Sequence, residues 1–235
     1  LFGRDDCTIR LMPFSTATMR EILADYKPNY TNEDLLALWT ITGGVARYIE
    51  LLMNNGCTSV EKMIRYVCSC GDSFFVSEGK NILIQEFGKQ YGTFFSILGQ
   101  IARGDVTQSQ IEATTGMKSL GGQLRILEDN YGIIRKKRPI GAKEGSQTVR
   151  FEIKDNFFRF WFRFVFKHQY LVELGRFEQL QQLVARDFDA FSGFALERYF
   201  YWKFVDESTY TKMDSWWDRR GENEIDLVCE DELEN

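Results

Sequence analysis

The segment Asp155-Asn156-Phe157-Phe158-Arg159-Phe160-Trp161-Phe162-Arg163-Phe164-Val165-Phe166 is apolar at nearly every position. A helix of that composition has no polar face to offer water, so it has to be buried on most sides. The rest of the chain must therefore be arranged around it. Arg159 and Arg163 interrupt the run at i,i+4 spacing, one stripe on a regular helix. Such a stripe can reach a nucleic-acid backbone or pair with acids inside the fold, and pairing is the expectation.

Charge is distributed unevenly. The net charge is -5, so the chain as a whole is no polycation. Between Arg135 and Lys167, however, ten Lys and Arg residues face only Glu144, Glu152 and Asp155, while Glu230-Asp231-Glu232-Leu233-Glu234 is acidic. A basic middle and an acidic tail point to separate jobs. The 235 residues leave room for one large domain or two to three small ones.

Several classes of chemistry are excluded early. The five cysteines have no zinc-ligand spacing and read as reduced thiols of a cytoplasmic protein. No apolar run approaches the roughly 18 residues of a membrane span, so no membrane partner is expected. The one histidine, His168, lies in the aromatic segment, which leaves no partner for a Ser-His or Cys-His triad. No G-x-x-x-x-G-K-[ST] occurs, so this chain alone cannot cradle a triphosphate that way.

Local signals predict a mainly α fold with α+β parts. Ser15 or Thr16 caps a first helix carrying Met19, Ile22, Leu23 and Tyr26. Thr31-Asn32-Glu33-Asp34 is a capping box before Leu35, Leu36, Leu38 and Trp39. Gly43-Gly44 stops that helix, and further helices follow from about Val45 and from Ser59. Residues 1–78 thus read as a helical subdomain. Across 79–154 the order is an apolar helix, a short capped helix ending at Gly116, a helix from about Ser119 to Asn130, and a hairpin from Ile133 to Ile153. That is the order of a winged helix-turn-helix. Residues 155–186 hold the aromatic helix and one from Phe177 to Arg186. Residues 187–235 open with another helix, Phe188 to Phe204, and end in strand-like segments around Trp216-Trp217 and Glu224 to Val228.

Several motifs in one order carry a family resemblance over nearly the whole chain. They are Leu1-Phe2-Gly3-Arg4, Leu11-Met12-Pro13-Phe14, Gly43-Gly44-Val45-Ala46-Arg47-Tyr48, the helix with Asp155, Phe158, Trp161 and Phe162, then Phe194-Ala195-Leu196-Glu197, Trp216-Trp217 and Glu224-Ile225-Asp226. In this order the chain resembles the archaeal-type ATPases, a prokaryotic branch of the AAA+/STAND-like P-loop NTPases. The resemblance implies that a P-loop core precedes Leu1, that residues 1–78 are its helical lid, and that 187–235 begin a truncated domain similar to PD-(D/E)xK nucleases.

The resemblance also implies site residues. Gly43 and Gly44 match the family's Gly-Gly-x-Pro lid motif, with Ala46 in place of the proline, and Arg47 stands where a phosphate could be sensed. ATP and Mg²⁺ would then be cofactors of an intact parent and not of this chain alone. Glu197 matches the helix acid of the nuclease-like domain and Asp226 its metal-binding strand acid. Glu224 is a further acid on the same strand face. The Glu-x-Lys strand that would complete the motif lies beyond Asn235.

The winged helix can be read without the family. Its recognition helix exposes Gln123 and Arg125 but also Glu128 and Asp129, a poor set for reading bases. The hairpin is better supplied, with Arg135, Lys136, Lys137, Arg138 and Lys143 able to contact phosphates. Strand alternation sends Arg135 and Lys137 one way and Lys136 and Arg138 the other. Duplex DNA and a protein partner are both open for this unit, and a homo-oligomer fits a ring-forming parent. The expected function is the carboxy-terminal portion of an AAA+-like ATPase. The alternatives are a winged-helix DNA-binding regulator and a nuclease-like effector under ATPase control.

Overall fold

The computed structural model describes residues 12–71, 73–104, 106–142, 149–208 and 210–231. Lys143 and the segment Leu1-Phe2-Gly3-Arg4 lie outside the described residues.

The first helices are set by their caps. The Ser15 hydroxyl accepts the Thr18 amide at 3.1 Å and opens α1 (Thr16–Tyr26). The capping box at Thr31 forms as expected and opens α2 (Asn32–Thr42). Its acid, Asp34, also accepts from Lys27 Nζ at 2.6 Å and from the Val60 amide at 3.2 Å, which ties α2 to the next turn of chain. α3 (Ala46–Asn54), α4 (Val60–Val67) and α5 (Phe74–Phe87) follow.

The boundary expected between residues 78 and 79 falls inside α5. Gly79 does not end the helix there. It makes room for Trp161, whose ring atoms would lie 2.5 Å from a Cβ at that position. The Trp161 indole donates to the Val76 carbonyl at 2.9 Å across the same contact.

Next come α6 (Tyr91–Ile101), α7 (Gln108–Thr115) and α8 (Gly121–Arg125), the last continuing as a π-helical turn to Asn130. Strands β1 (Ile134–Lys137) and β2 (Arg150–Ile153) pair antiparallel, with Ile134 opposite Ile153 and Lys137 opposite Arg150. An isolated bridge from Val106 to Phe151 fastens this hairpin to the start of α7.

The aromatic segment is α9 (Asn156–Phe160), capped by Asp155, and a π-helical continuation from Trp161 to Phe166. It sits at the centre of the molecule as its composition demands: Phe157, Phe160, Phe162 and Phe164 are at most 1 % exposed. Their rings reach several neighbours. Phe157 lies 4.5 Å from Tyr48 of α3, and Phe162 lies 5.4 Å from Phe95 of α6. Bonding widens to i→i+5 in the π turn, as in Lys167 N to Phe162 O. Arg159 and Arg163, one turn apart along this helix, line different hollows.

After α10 (Gln169–Glu173) comes α11 (Phe177–Glu207), one 31-residue helix where two were expected. Its buried residues Leu180, Val184, Phe188, Phe191 and Ala195 keep helical spacing straight through the charged pair Arg186-Asp187, so nothing interrupts it. Phe164 meets Phe191 at 5.0 Å and joins this helix to the centre. β3 (Lys212–Trp217) and β4 (Glu224–Glu230) form a second antiparallel pair with an irregularity between Asp214 and Trp216. The chain is thus mainly helical, with two small antiparallel sheets among the described residues, where one apolar cluster runs from Met19 to Ala195.

Candidate functional site

A cleft of about 360 Å³ opens between α11, the β1–β2 hairpin and the β3–β4 hairpin. The three acids that the resemblance singled out, Glu197, Glu224 and Asp226, all line it. Glu224 and Asp226 lie two residues apart on β4, hence on one face of the strand. Glu197 comes from α11, beside Arg198.

Cations from β1 and β2 complete the walls. Arg135 and Lys137 point to the same side, as alternation requires, and both pair with Glu152 of β2, Lys137 at 3.7 Å. Glu152 is only 2 % exposed, so this is a buried charge held by two cations. Burial works against the charge on Arg135, but the Glu152 carboxylate outweighs it and raises its pKa. Arg150 bridges to the second hairpin. It pairs with Glu224 at 2.8 Å and lies 4.5 Å over the Trp217 ring. The main chain adds a hydrogen bond from Ile140 N to Ser215 O at 2.9 Å, so the end of the first hairpin is stitched to β3.

Arg198 was not singled out by the sequence. Its guanidinium donates to the carbonyls of Ile153, at 3.0 Å, and Lys154. Burial pushes its pKa below the ordinary value; Glu152 opposes that, and Arg135 and Arg159 add to it. Arg159 stacks on Phe194 with 3.5 Å from its guanidinium carbon to the ring centre. The one hint in the sequence is a second charged residue beside Glu197 in the aromatic-rich stretch from Phe194 to Phe204.

Among the described residues, no three His, Cys, Asp or Glu side chains gather closely enough to hold a metal ion. The acids of the cleft stand among Arg135, Lys137, Arg150, Arg159 and Arg198, and Glu224 is already engaged by Arg150. These residues form an ion-pair network and do not fit a Mg²⁺ nest, which needs several oxygen ligands around one point.

A second cavity of about 260 Å³ lies at the Gly43-Gly44 turn, between Phe14, Trp39, Asn156 and Trp202. Both glycines have left-handed backbones, with φ of 56° and 82°. A Cβ on Gly44 would sit 2.6 Å from the Phe14 carbonyl, and one on Gly43 would sit 3.2 Å from Asn156 Cβ. The close approach that demands glycine is thus made by the protein's own backbone and side chains. Arg47 does not line this cavity. It pairs with Glu50 at 2.8 Å and lies over Phe74. Arg198 lines both cavities and so forms their common wall.

The remaining cations expected to meet nucleic acid are dispersed. Arg125 pairs with Asp129 at 3.1 Å, and Lys136 with Glu128 at 2.9 Å. Arg138 is exposed.

No helix among the described residues is long and apolar enough to cross a membrane. No solved structure matches the chain. An uncharacterized protein of Methanocaldococcus jannaschii is 27% identical over 238 residues, covering 97% of this chain and 51% of that protein. The chain therefore spans about half the length of the curated relative it matches. Residues 161–235, which include Glu197, Glu224 and Asp226, match DUF234, a family described as archaeal and bacterial proteins of unknown function.

Proposed function

We propose that this chain is the lid, winged-helix and effector portion of an archaeal-type P-loop ATPase. In this reading the Gly43-Gly44 turn senses the state of an ATPase core and passes it to the cleft. The observation that carries the reading is the shared wall. Arg198 lines both the cavity at Gly43 and the cleft with Glu197, Glu224 and Asp226. The connection is mechanical as well. The Asn156 amide donates to Trp39 O at 3.1 Å, and the Trp39 indole donates to Ala195 O at 2.9 Å. A shift of the turn would move α2, α9 and α11 together. The order α6, α7, α8 and β1–β2 supports the winged helix. Its hairpin, stitched to β3, supports a role as connector more than as a free DNA-reading wing. Supplying ATP hydrolysis would fall to a region resembling a P-loop core, for which the longer relative has room.

The test is ATP turnover by the protein carrying that region, with amide exchange followed in α11. ATP should change protection around Ala195 to Arg198 in the wild type, and Trp39→Phe should weaken that change. Absence of any ATP binding or turnover would overturn the reading.

A further inference from the structure

A separate hollow of about 350 Å³ lies between α6, the end of α7 and the π turn of the aromatic segment, and shares no residue with the cleft. Three cations line it. Arg103 follows the last turn of α6, and Arg163 and Lys167 come from the π turn and the position just after it. From these we infer that the hollow binds the phosphates of a nucleic-acid strand.

The charge is not consumed within the fold. Among the described residues, Arg103, Arg163 and Lys167 have no ion pair; Arg163 only lies 5.9 Å from the Phe164 ring. The acid whose field reaches Lys167 is Asp187, which Arg186 grips through two bonds of 2.7 and 3.0 Å. α6 and α7 both end at the hollow, and each carbonyl end contributes roughly -0.5 charge against three full positive charges, leaving about +2. Burial, and then the neighbouring Arg163 and Arg103, depress the Lys167 pKa, with Asp187 opposing them. In a chain of net charge -5 this is a local concentration and not part of a generally basic surface.

The side-chain types favour nucleic acid over other anions. Two guanidinium forks match phosphate oxygens in pairs, which ammonium groups alone do not. Gln100 stands beside them as a neutral donor, and the half-buried Phe166 ring, stacked against Trp161 at 5.9 Å, lines the same wall. This site does not depend on the ATPase reading, and its test contains no ATP.

The experiment is fluorescence anisotropy of a labelled oligonucleotide, single- and double-stranded, titrated with the chain at about 50 and about 200 mM salt, because phosphate contacts are salt-dependent. The variants are Arg103→Gln, Arg163→Gln, Lys167→Gln, their combination, Arg163→Lys, and Arg65→Gln on α4 as a distant control. Thermal unfolding of each variant checks that it folds. The combined variant should lose about tenfold or more in affinity, and its log–log salt slope should drop by roughly 2 to 3. Arg163→Lys keeps the charge but not the fork, so it should lose about threefold to tenfold, less than Arg163→Gln, and Arg65→Gln should bind as wild type does. Unchanged affinity in the combined variant overturns the site. So does failure of the wild type to bind either form at the lower salt, or displacement of the oligonucleotide by poly-glutamate as readily as by unlabelled DNA. Calorimetric binding of inorganic pyrophosphate with no binding of nucleic acid would also overturn it, by showing a small-anion site instead.

Discussion

The indole N–H of Trp39, on α2, donates to the main-chain carbonyl of Ala195, on α11, at 2.9 Å. Trp39 is 5 % exposed, and its ring also meets Tyr199 edge-on at 6.1 Å. The pair joins the helix that ends at Gly43-Gly44 to the helix that carries Glu197 and Arg198. Trp39→Phe removes the donor and part of the ring but keeps an aromatic in place. Loss of one buried hydrogen bond costs about 1 kcal/mol, and the smaller ring adds a cavity cost, so about 1–3 kcal/mol of stability should go. Urea unfolding measures it. A loss under about 0.5 kcal/mol would show that this contact does not hold the two helices together.

Asp34 is the second fastening of α2. It closes the capping box and accepts from Lys27, Thr31 and Val60 while only 4 % exposed. Burial alone would raise its pKa, but the Lys27 ammonium and the two amides outweigh burial and hold it below the ordinary value. A depressed carboxyl adds stability that is complete above the unfolded pKa of about 3.9 and is lost as pH falls through the folded one. Asp34→Asn should therefore destabilise by about 1.5–3 kcal/mol at pH 7, and the gap to wild type should shrink on acidification below about pH 4. A gap that is constant from pH 7 down to pH 3 is the contrary result.

Arg150 bears on how firmly the terminal hairpin is held. It pairs with Glu224 and covers the 4 % exposed Trp217 ring, so it clamps both β3 and β4. Arg150→Gln should accelerate amide exchange within Lys212–Trp217 and Glu224–Glu230 by about tenfold, the equivalent of about 1.4 kcal/mol of local opening. Exchange in α2 and α6 should not change. Uniform acceleration across the molecule would mean that the arginine supports global stability instead of this hairpin.

These contacts also separate what the sequence makes legible from what it hides. The central helix is legible because eight of the ten positions from Phe157 to Phe166 are apolar, and the caps at Ser15, Thr31 and Thr107 are local signals that survive intact. The meeting of Glu197, Glu224 and Asp226 was expected only from the family resemblance, since their spacing alone brings none of them together. Arg198 was hidden because it is bound to carbonyls of Ile153 and Lys154, and backbone partners leave no trace in composition. The continuity of α11 was masked by Arg186-Asp187, a charged pair that is exposed on one side while the apolar stripe passes behind it. That Arg159 and Arg163 line different hollows depends on which neighbours flank each turn of the helix, and the i,i+4 spacing carries no trace of those neighbours.

His168 gives a pH-dependent test at the edge of the cationic hollow. Its Nδ1 lies 2.9 Å from the Phe164 carbonyl. Burial pushes the imidazole pKa below its ordinary value; the Phe164 carbonyl opposes this, Lys167 and Arg163 push it lower, and Asp187 opposes them. A histidine with a folded pKa below its unfolded value of about 6.5 is more readily protonated in the unfolded chain. Its contribution to stability is intact above that value and is lost as pH falls from about 6.5 through the folded pKa, below which the loss is constant. Since this is the only histidine, the effect belongs to one group. The urea midpoint of the wild type should fall as pH drops from about 7.5 to about 5.5, and His168→Gln should flatten that part of the profile. Parallel profiles for the two proteins would mean that His168 titrates alike in the folded and unfolded chains, and that Arg163 and Lys167 do not act on it.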